Sequence, residues 1–460
     1  MKRSISNKPK LTDSKSYQNY GKTHRNDYGR NKLYSHNKYN TIKQQKSHTD
    51  AKVTGALFER LPIEMKTAIF EHLSINDLMN ARLVSKKWKS TADSVLQFKK
   101  SELVFNGNVC FKQIQAMMNM YSKSPKVVIK NLKMKRKSRK DVNFEEFINE
   151  CLQQLPKLQT FEVNDCLKNR NQILSITVLL TLKDLTLKNV NISDSDASVL
   201  FQELLNLTTI DLDVVPINGD CFANIGLKMR SIRWWNKDAI LNPKLTFSSN
   251  AVNLLEFSYT NERLFTEDSQ ILLETISHEM HSLQKLELWT TDAIDDISRL
   301  RLHSLESLEI TAFEIRGIDM TVKLSCVQHL LFSISDIHEK SLISFLLKFP
   351  NLTSLVLDFT FFNSKASSIP MTNAMLEYIL ALNLKSFGFI DMLYNSNQYV
   401  DSRENNILIA LLRKLEHTQK IKVHLKSKYG TDDMLQLTKD EIEDWAVRRK
   451  SLQSLSLKIE

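Results

Sequence analysis

His278-Glu279-Met280-His281 sets two imidazoles beside a carboxylate. Zinc-assisted hydrolysis of the H-E-x-x-H type needs both histidines on one helix face at i and i+4, with the glutamate placed as base. Here the histidines stand at i and i+3, so the run reads as a polar helix end. Cysteines offer no better centre. Cys110, Cys151, Cys166, Cys221 and Cys326 are scattered, odd in number and form no C-x-x-C pair, so neither a zinc knuckle nor a disulfide framework is expected. Nine glycines are too thinly spread for a phosphate-cradling loop, and no G-x-S-x-G occurs. The acidic residues and histidines show no convergent spacing that marks an acid–base pair. No catalysis, metal or cofactor is expected of this chain.

Positive charge is the next candidate. Of a net +11, residues 1–50 carry +9 from 12 Lys/Arg and 3 Asp/Glu. Tyr17, Tyr20, Tyr28, Tyr34 and Tyr39 lie among these charges. Such a segment buries too little apolar surface to offset its ordering entropy, so residues 1–55 are expected to form a disordered basic tail. Basic residues interleaved with aromatics suit single-stranded nucleic acid, yet no folded nucleic-acid module accompanies them, and a solvated tail is the simpler reading. KNLKMKRKSRK, residues 130–140, holds seven Lys/Arg in eleven. It reads as a nuclear import signal, an anion-binding loop or a solvated insertion. MKRSISNKPK has no apolar segment after its charges, so no secretory signal is expected, and no apolar run reaches about 20 residues. The chain is expected in the cytoplasm, the nucleus or both, without membrane contact.

The elements that remain are built for contact. L-x-x-L-x-L, the short strand of a leucine-rich repeat, starts at 158, 182, 207, 229, 254, 283, 305, 327, 352, 384, 418 and 452. Most intervals fall between 22 and 29 residues, and the last three are 32, 34 and 34. Helical patterns fill the gaps. In one, Ala197, Leu200, Phe201, Leu204 and Leu205 share a face. Another starts at Thr438, with Glu441 completing a capping box. Each strand–helix unit leaves an apolar face open, and stacking closes one continuous core. The expectation is an α/β solenoid with parallel strands on the concave side and helices outside. The Asn or Cys normally found three residues after the last leucine occurs once, at Cys166, which implies irregular turns. Leu103–Phe105 and Val127–Ile129, within a 99–157 linker, read as two further degenerate strands.

Ahead of the array stands LPIEMKTAIFEHLSINDLMNARLVSKKWKS, residues 61–90. Pro62 suits the first turn of a helix. Met65, Ile69 and Leu73 recur every four residues beside Phe70. Ser74 is placed as the N-cap of a second helix carrying Ile75, Leu78, Met79 and Leu83, and a third carries Val84, Trp88 and Val95. Leu61-Pro62, Glu64, Ile69-Phe70, Leu73-Ser74, Asp77-Leu78, Arg82, Val84-Ser85 and Lys87-Trp88 closely resemble the F-box motif. The resemblance covers residues 56–98, followed by a leucine-rich-repeat solenoid over 158–460. It implies three helices that dock on the Skp adaptor of the SCF (Skp–cullin–F-box) ubiquitin ligase, with Leu61, Pro62, Ile69, Leu73, Leu78, Val84 and Trp88 at that interface or supporting it.

Strand alternation turns the third, fifth and seventh residues of each repeat outward on the concave side. Most are polar or charged. Arg233, Trp235, Trp289, Leu331, Val356 and Ile390 are the candidates for binding a target protein, since Trp and Arg are favoured interface anchors. The outward bases Arg233, Lys285, Lys420, Lys422 and Lys458 are too dispersed for a phosphate reader. The function implied is a non-catalytic substrate-recognition subunit that holds a target near the conjugating enzyme. A Skp-bound scaffold without degradation, and a nucleic-acid-associated protein acting through the basic tail, are the alternatives.

Overall fold

The computed structural model describes residues 58 and 60–459, apart from 136–143, 168, 237–239, 263–265, 296, 317–322, 337–338, 360–372, 395–399, 403–404 and 428–432. The basic tail and the part of the lysine-rich stretch beyond residue 135 therefore lie outside the described residues. The chain divides into two units, Met1–Leu61 and Pro62–Glu460. In the first, the Leu61 N–H donates to the Phe58 carbonyl at 3.1 Å.

The second unit opens with three helices, α1 (Ile63–Glu71), α2 (Ile75–Ala81) and α3 (Lys86–Lys99). Two serines start two of them. The Ser74 hydroxyl accepts from the Asp77 N–H at 3.2 Å, and the Ser85 hydroxyl accepts from the Trp88 N–H at 3.2 Å, each satisfying a donor that the first turn leaves open. Phe70 from α1, Leu78 and Ala81 from α2, and Ala92, Val95 and Leu96 from α3 form the core. An ion pair of 2.6 Å between Arg82 and Asp93 joins the end of α2 to α3.

The rest is one parallel sheet wound as a solenoid. Its strands are β1 (Glu102–Cys110), β2 (Lys126–Lys135), β3 (Thr160–Asn164), β4 (Asp184–Lys188), β5 (Thr209–Val215), β6 (Ser231–Asn236), β7 (Glu256–Asn261) and β8 (Lys285–Thr290). A short β9 (Ala293–Asp295) lies beside β10 (Ser307–Arg316), and β11 (His329–Asp336), β12 (Ser354–Asp358) and β13 (Ser386–Tyr394) follow. A small hairpin, β14 (Val400–Ser402) with β15 (Asn405–Asn406), precedes β16 (Lys420–Ser427) and β17 (Ser454–Ile459). Apart from β9 and the hairpin, spatial order is chain order. Thus β1 and β2, over the segment read as linker, are full members of the sheet, paired in parallel from Glu102↔Lys126 onward.

Alternation places the consensus leucines inside. In β4, Leu185 and Leu187 are buried while Asp184, Thr186 and Lys188 face out. At about 1.5–3 kcal/mol per fully buried apolar side chain, two such residues per strand outweigh any single surface contact. A backbone ladder fixes the register at the N-terminal end of the strands. The N–H groups of Lys183, Thr208, Arg230, Leu255 and Gln284 donate to the carbonyls of Gln159, Lys183, Thr208, Arg230 and Leu255, at 2.7–2.9 Å.

Between strands run helices or 3-10 turns, including α4 (Phe111–Met120), α5 (Phe144–Glu150), α6 (Arg170–Leu174), α7 (Asp194–Glu203) and α8 (Thr266–Glu279). Further along come α9 (Glu339–Leu346), α10 (Asn373–Ala381), α11 (Ile407–Lys414) and α12 (Asp433–Arg448). Two expectations about helices change. The last one starts at Asp433, so Thr438 is an interior, buried residue and caps nothing. Helix α7 ends at Glu203, so Leu205 does not share the face of Ala197, Leu200 and Phe201 and is exposed.

The asparagine signal is displaced. Asn236 and Asn261 are both buried, two residues after the last inward side chain and not three, and both donate to the Tyr259 hydroxyl, at 3.4 and 3.0 Å. Burial pushes that phenol up to about 12. Trp234 is fully buried against Phe222 and Tyr259, with ring centroids 4.9 and 4.8 Å away.

Candidate functional site

The helical trio carries more apolar surface than its own core uses. The i, i+4 stripe Met65–Ile69–Leu73 faces outward, with Met65 and Ile69 exposed and Leu73 half-buried; of α1 only Phe70 turns in. Ile63 and Met79 are exposed as well. Leu83 and Val84, in the turn between α2 and α3, are 84% and 61% exposed. These six exposed apolar side chains sit within 22 residues, which is the mark of an unfilled interface.

The residues expected at an adaptor contact therefore fall into two groups. Pro62, Ile69 and Val84 are exposed, and Leu61 and Leu73 are half-buried. Leu78, in contrast, is 0% exposed and belongs to the core of the free domain. Trp88 is half-buried with its ring edge-on to Phe70. Ile63, Met65, Met79 and Leu83 were missing from the expected set. A leucine–valine pair directly ahead of the Ser85 cap, inside an otherwise polar turn, is the sequence signal that points to Leu83.

On the concave side the outward rows run in register. Trp235, Thr260, Trp289, Thr311, Ser333, Asp358 and Ile390 form one row, so the two tryptophans stand two strands apart. The next row holds Arg233, Ser258, Glu287, Glu309, Leu331, Val356 and Gly388. Leu331 and Val356 are neighbours there, and Glu287 and Glu309 separate them from Arg233. Both tryptophans, Leu331 and Val356 are half-buried, and Arg233 is exposed. Ile390 departs from expectation at 8% exposed. It lies midway along β13, between Asp358 and His424 in the ladder, and Thr311 and Ser333 of the same row are buried too, at 7% and 1%.

A third outward row holds Thr160, Asp184, Thr209, Ser231, Glu256, Lys285 and Ser307, and charge dominates the three. From β3 to β10 they carry Glu162, Asp184, Asp211, Asp213, Glu256, Glu287 and Glu309 against Lys188, Arg233 and Lys285. Arg233 pairs with Asp211 at 3.6 Å, Lys188 pairs with Asp213 at 3.5 Å, and Lys285 pairs with Glu287. Burial, and next the Glu287 charge, hold Glu309 above the usual carboxylate range. Burial would do the same to Glu287, but hydrogen bonds from Lys285 and Ser258 and the charges of Lys285 and Arg233 bring it below that range. Among the described residues no group of three or more His, Cys, Asp or Glu could hold a metal ion. No helix among them is long and apolar enough to cross a membrane.

Three helices, two of them serine-capped, leave an apolar stripe outward and stand ahead of a parallel solenoid. Residues 58–100 match the F-box domain family, and the parallel solenoid that follows is built on the L-x-x-L-x-L strands of the sequence. No curated protein matches the chain in sequence. Solved structures to which it is similar include an internalin (InlF) from Listeria monocytogenes, with 16% identity and a TM-score of 0.35 over 71% of this chain and 87% of that one. The Rad7 and Elc1 complex in yeast gives 16% identity and 0.38 over 84% and 96%. The TLR13–ssRNA13 complex gives 14% and 0.39 over 72% and 51%.

Proposed function

We propose that this chain is the substrate-recognition subunit of an SCF-type ubiquitin ligase. Its F-box docks on a Skp adaptor and through it on cullin, and its repeats bind a target protein for ubiquitination. The observation that carries the reading is the apolar surface that the F-box leaves open on α1 and on the turn between α2 and α3. Leu83, Val84, Ile69 and Met65 stay in water although the domain's own core is complete without them. Burying four such side chains in a partner is worth several kcal/mol, at about 25 cal/mol per Å² of apolar surface.

In this reading Leu61, Pro62, Ile69, Leu73 and Val84 touch the adaptor. Leu78 and Trp88 act through the core that holds those residues in place. The chain performs no chemistry of its own and needs no cofactor or metal. It raises the effective concentration of the target at the conjugating enzyme. Its setting is the cytoplasm, the nucleus or both.

Co-purification from cells tests the reading, comparing the wild type with a Leu61→Ala/Pro62→Ala double variant. Adaptor and cullin recovered with the wild type and lost from the variant support it. Adaptor without cullin favours a non-degradative scaffold. Recovery of neither overturns it.

A further inference from the structure

The rim of the solenoid at the N-terminal ends of its strands carries a feature that the fold does not require. In successive repeats the chain enters the sheet through a turn closed by an i+3 N–H to i carbonyl bond. The pairs are Leu182→Leu179, Leu207→Leu204, Met229→Gly226 and Leu254→Ala251, at 3.0–3.1 Å. The second residue of each turn projects from the rim, and these residues are Leu180, Leu205, Leu227 and Val252. They are 60, 68, 67 and 40% exposed. Each stands three positions before a residue of the backbone ladder Lys183, Thr208, Arg230, Leu255, so the four lie on adjacent repeats in one row.

That turn position accepts most residues and favours proline. Equivalent turns in this chain use Pro156, His281 and Pro350 there. Folding therefore gives no reason for apolar residues at four consecutive repeats, and leaving them in water forfeits the gain of burying them.

The charge beside the row has one sign. The five residues from the start of each turn to the ladder position, over the six repeats from β3 to β8, hold Lys157, Lys183, Lys228 and Arg230 and no Asp or Glu. Glu203, Glu279, Asp184 and Glu256 fall just outside, as does Lys285; Asp184, Glu256 and Lys285 lie on the concave face. None of the four bases forms an ion pair among the described residues. Lys228 donates to the Asn206 side chain at 2.6 Å, and the Asn206 amide donates to the Leu180 carbonyl at 2.8 Å, which braces the turn under the row. The concave rows of the same repeats are predominantly acidic, so an acidic partner is repelled there and drawn to the rim.

We infer that this rim, and not the concave face alone, is a docking surface for an acidic amphipathic helix of a partner protein. Repeats about 4.8 Å apart come close to the helix pitch of about 5.4 Å. A helix with apolar residues at i, i+3 or i+4, i+7 and i+11 can therefore seat one on each of the four rim positions, with flanking carboxylates meeting the bases. The inference rests on reading the array as a receptor and is independent of the F-box contact.

The test is fluorescence anisotropy of the purified full chain with a labelled acidic amphipathic peptide of about 18 residues, roughly five helical turns. A basic peptide with the same apolar pattern and an acidic scramble serve as comparisons. The acidic amphipathic peptide should bind and the other two should not. Its affinity should fall at least about tenfold in a Leu180→Ser/Leu205→Ser/Leu227→Ser variant, and also in Lys183→Glu/Lys228→Glu. It should be unchanged in Leu83→Asp, which separates failure of this surface from failure of the adaptor reading. The inference is overturned if the scramble or the basic peptide binds equally well, if both rim variants bind as the wild type does, or if anionic phospholipid vesicles bind and the peptide does not.

Discussion

The ring of Trp88 meets that of Phe70 edge-on, with centroids 5.4 Å apart at an interplanar angle of 61°. This contact joins α3 to α1, the helix whose outer stripe is exposed. It makes Trp88 a brace for the proposed docking surface, itself only half-buried. Removing it should therefore act on stability first and on binding only through stability.

Trp88→Ala is expected to lower stability by about 2 kcal/mol, below the range for a fully buried tryptophan because the side chain is only half-buried. Thermal unfolding followed by circular dichroism checks this. Trp88→Phe should recover more than half of the loss, since a ring remains against Phe70.

Asp194, at the start of α7, reaches across to the next repeat. Its carboxylate accepts from the backbone N–H groups of Asn218, Gly219 and Cys221 at 2.9, 3.0 and 3.2 Å. Asp194→Ala strands three donors and should cost about 2 kcal/mol. Hydrogen exchange should show the loss first at residues 218–221.

Gly219 sits at φ +103°, and a Cβ there would lie 2.5 Å from Leu245 Cδ1 and 3.1 Å from Trp234 Cη2. Gly219→Ala combines a left-handed backbone with overpacking of the buried tryptophan. A loss of about 2–3 kcal/mol is expected in denaturant unfolding. The neighbouring Gly226 has nothing within 4 Å of such a Cβ, so Gly226→Ala should be nearly neutral.

Glu309 gives a pH dependence of known sign. Its pKa is raised in the folded chain, so the folded state keeps this proton to higher pH than the unfolded chain does. The stability it contributes is present below the ordinary carboxylate value of 4.5 and is lost as pH rises through the raised folded value. Glu309→Gln keeps the uncharged shape. The variant should melt at or above the wild-type Tm at pH 7 and converge with it near pH 4.

Much of this fold could be read from the chain because leucine spacing reports burial directly. Each L-x-x-L-x-L segment from Leu158 onward is a strand in the expected register. Boundaries set by backbone geometry were less visible. Thr438 and Glu441 have the residue types of a capping box, yet five earlier residues continue that helix. Leu205 fits a helical period that ends two residues before it. Asn236 and Asn261 occupy the repeat one position early, outside the spacing that marks such an asparagine in a sequence.

The proposed docking surface was legible in part. Motif positions located the F-box, but helical periodicity alone does not say which stripe faces in. In α1 the regular stripe Met65–Ile69–Leu73 faces out, and the single off-stripe residue Phe70 fills the core. Concave candidates chosen by residue type proved to be interrupted by acids, because alternation predicts direction and not company.

The most direct measurement is titration of the purified chain with a purified Skp-type adaptor by calorimetry. Wild type is compared with Leu83→Asp/Val84→Asp, two exposed residues whose replacement should leave Tm within a few degrees. The account predicts tight wild-type binding and a loss of at least about 100-fold in the variant, since two charges would be placed in a desolvated apolar contact. Equal binding by both proteins, or none by the folded wild type, would contradict it.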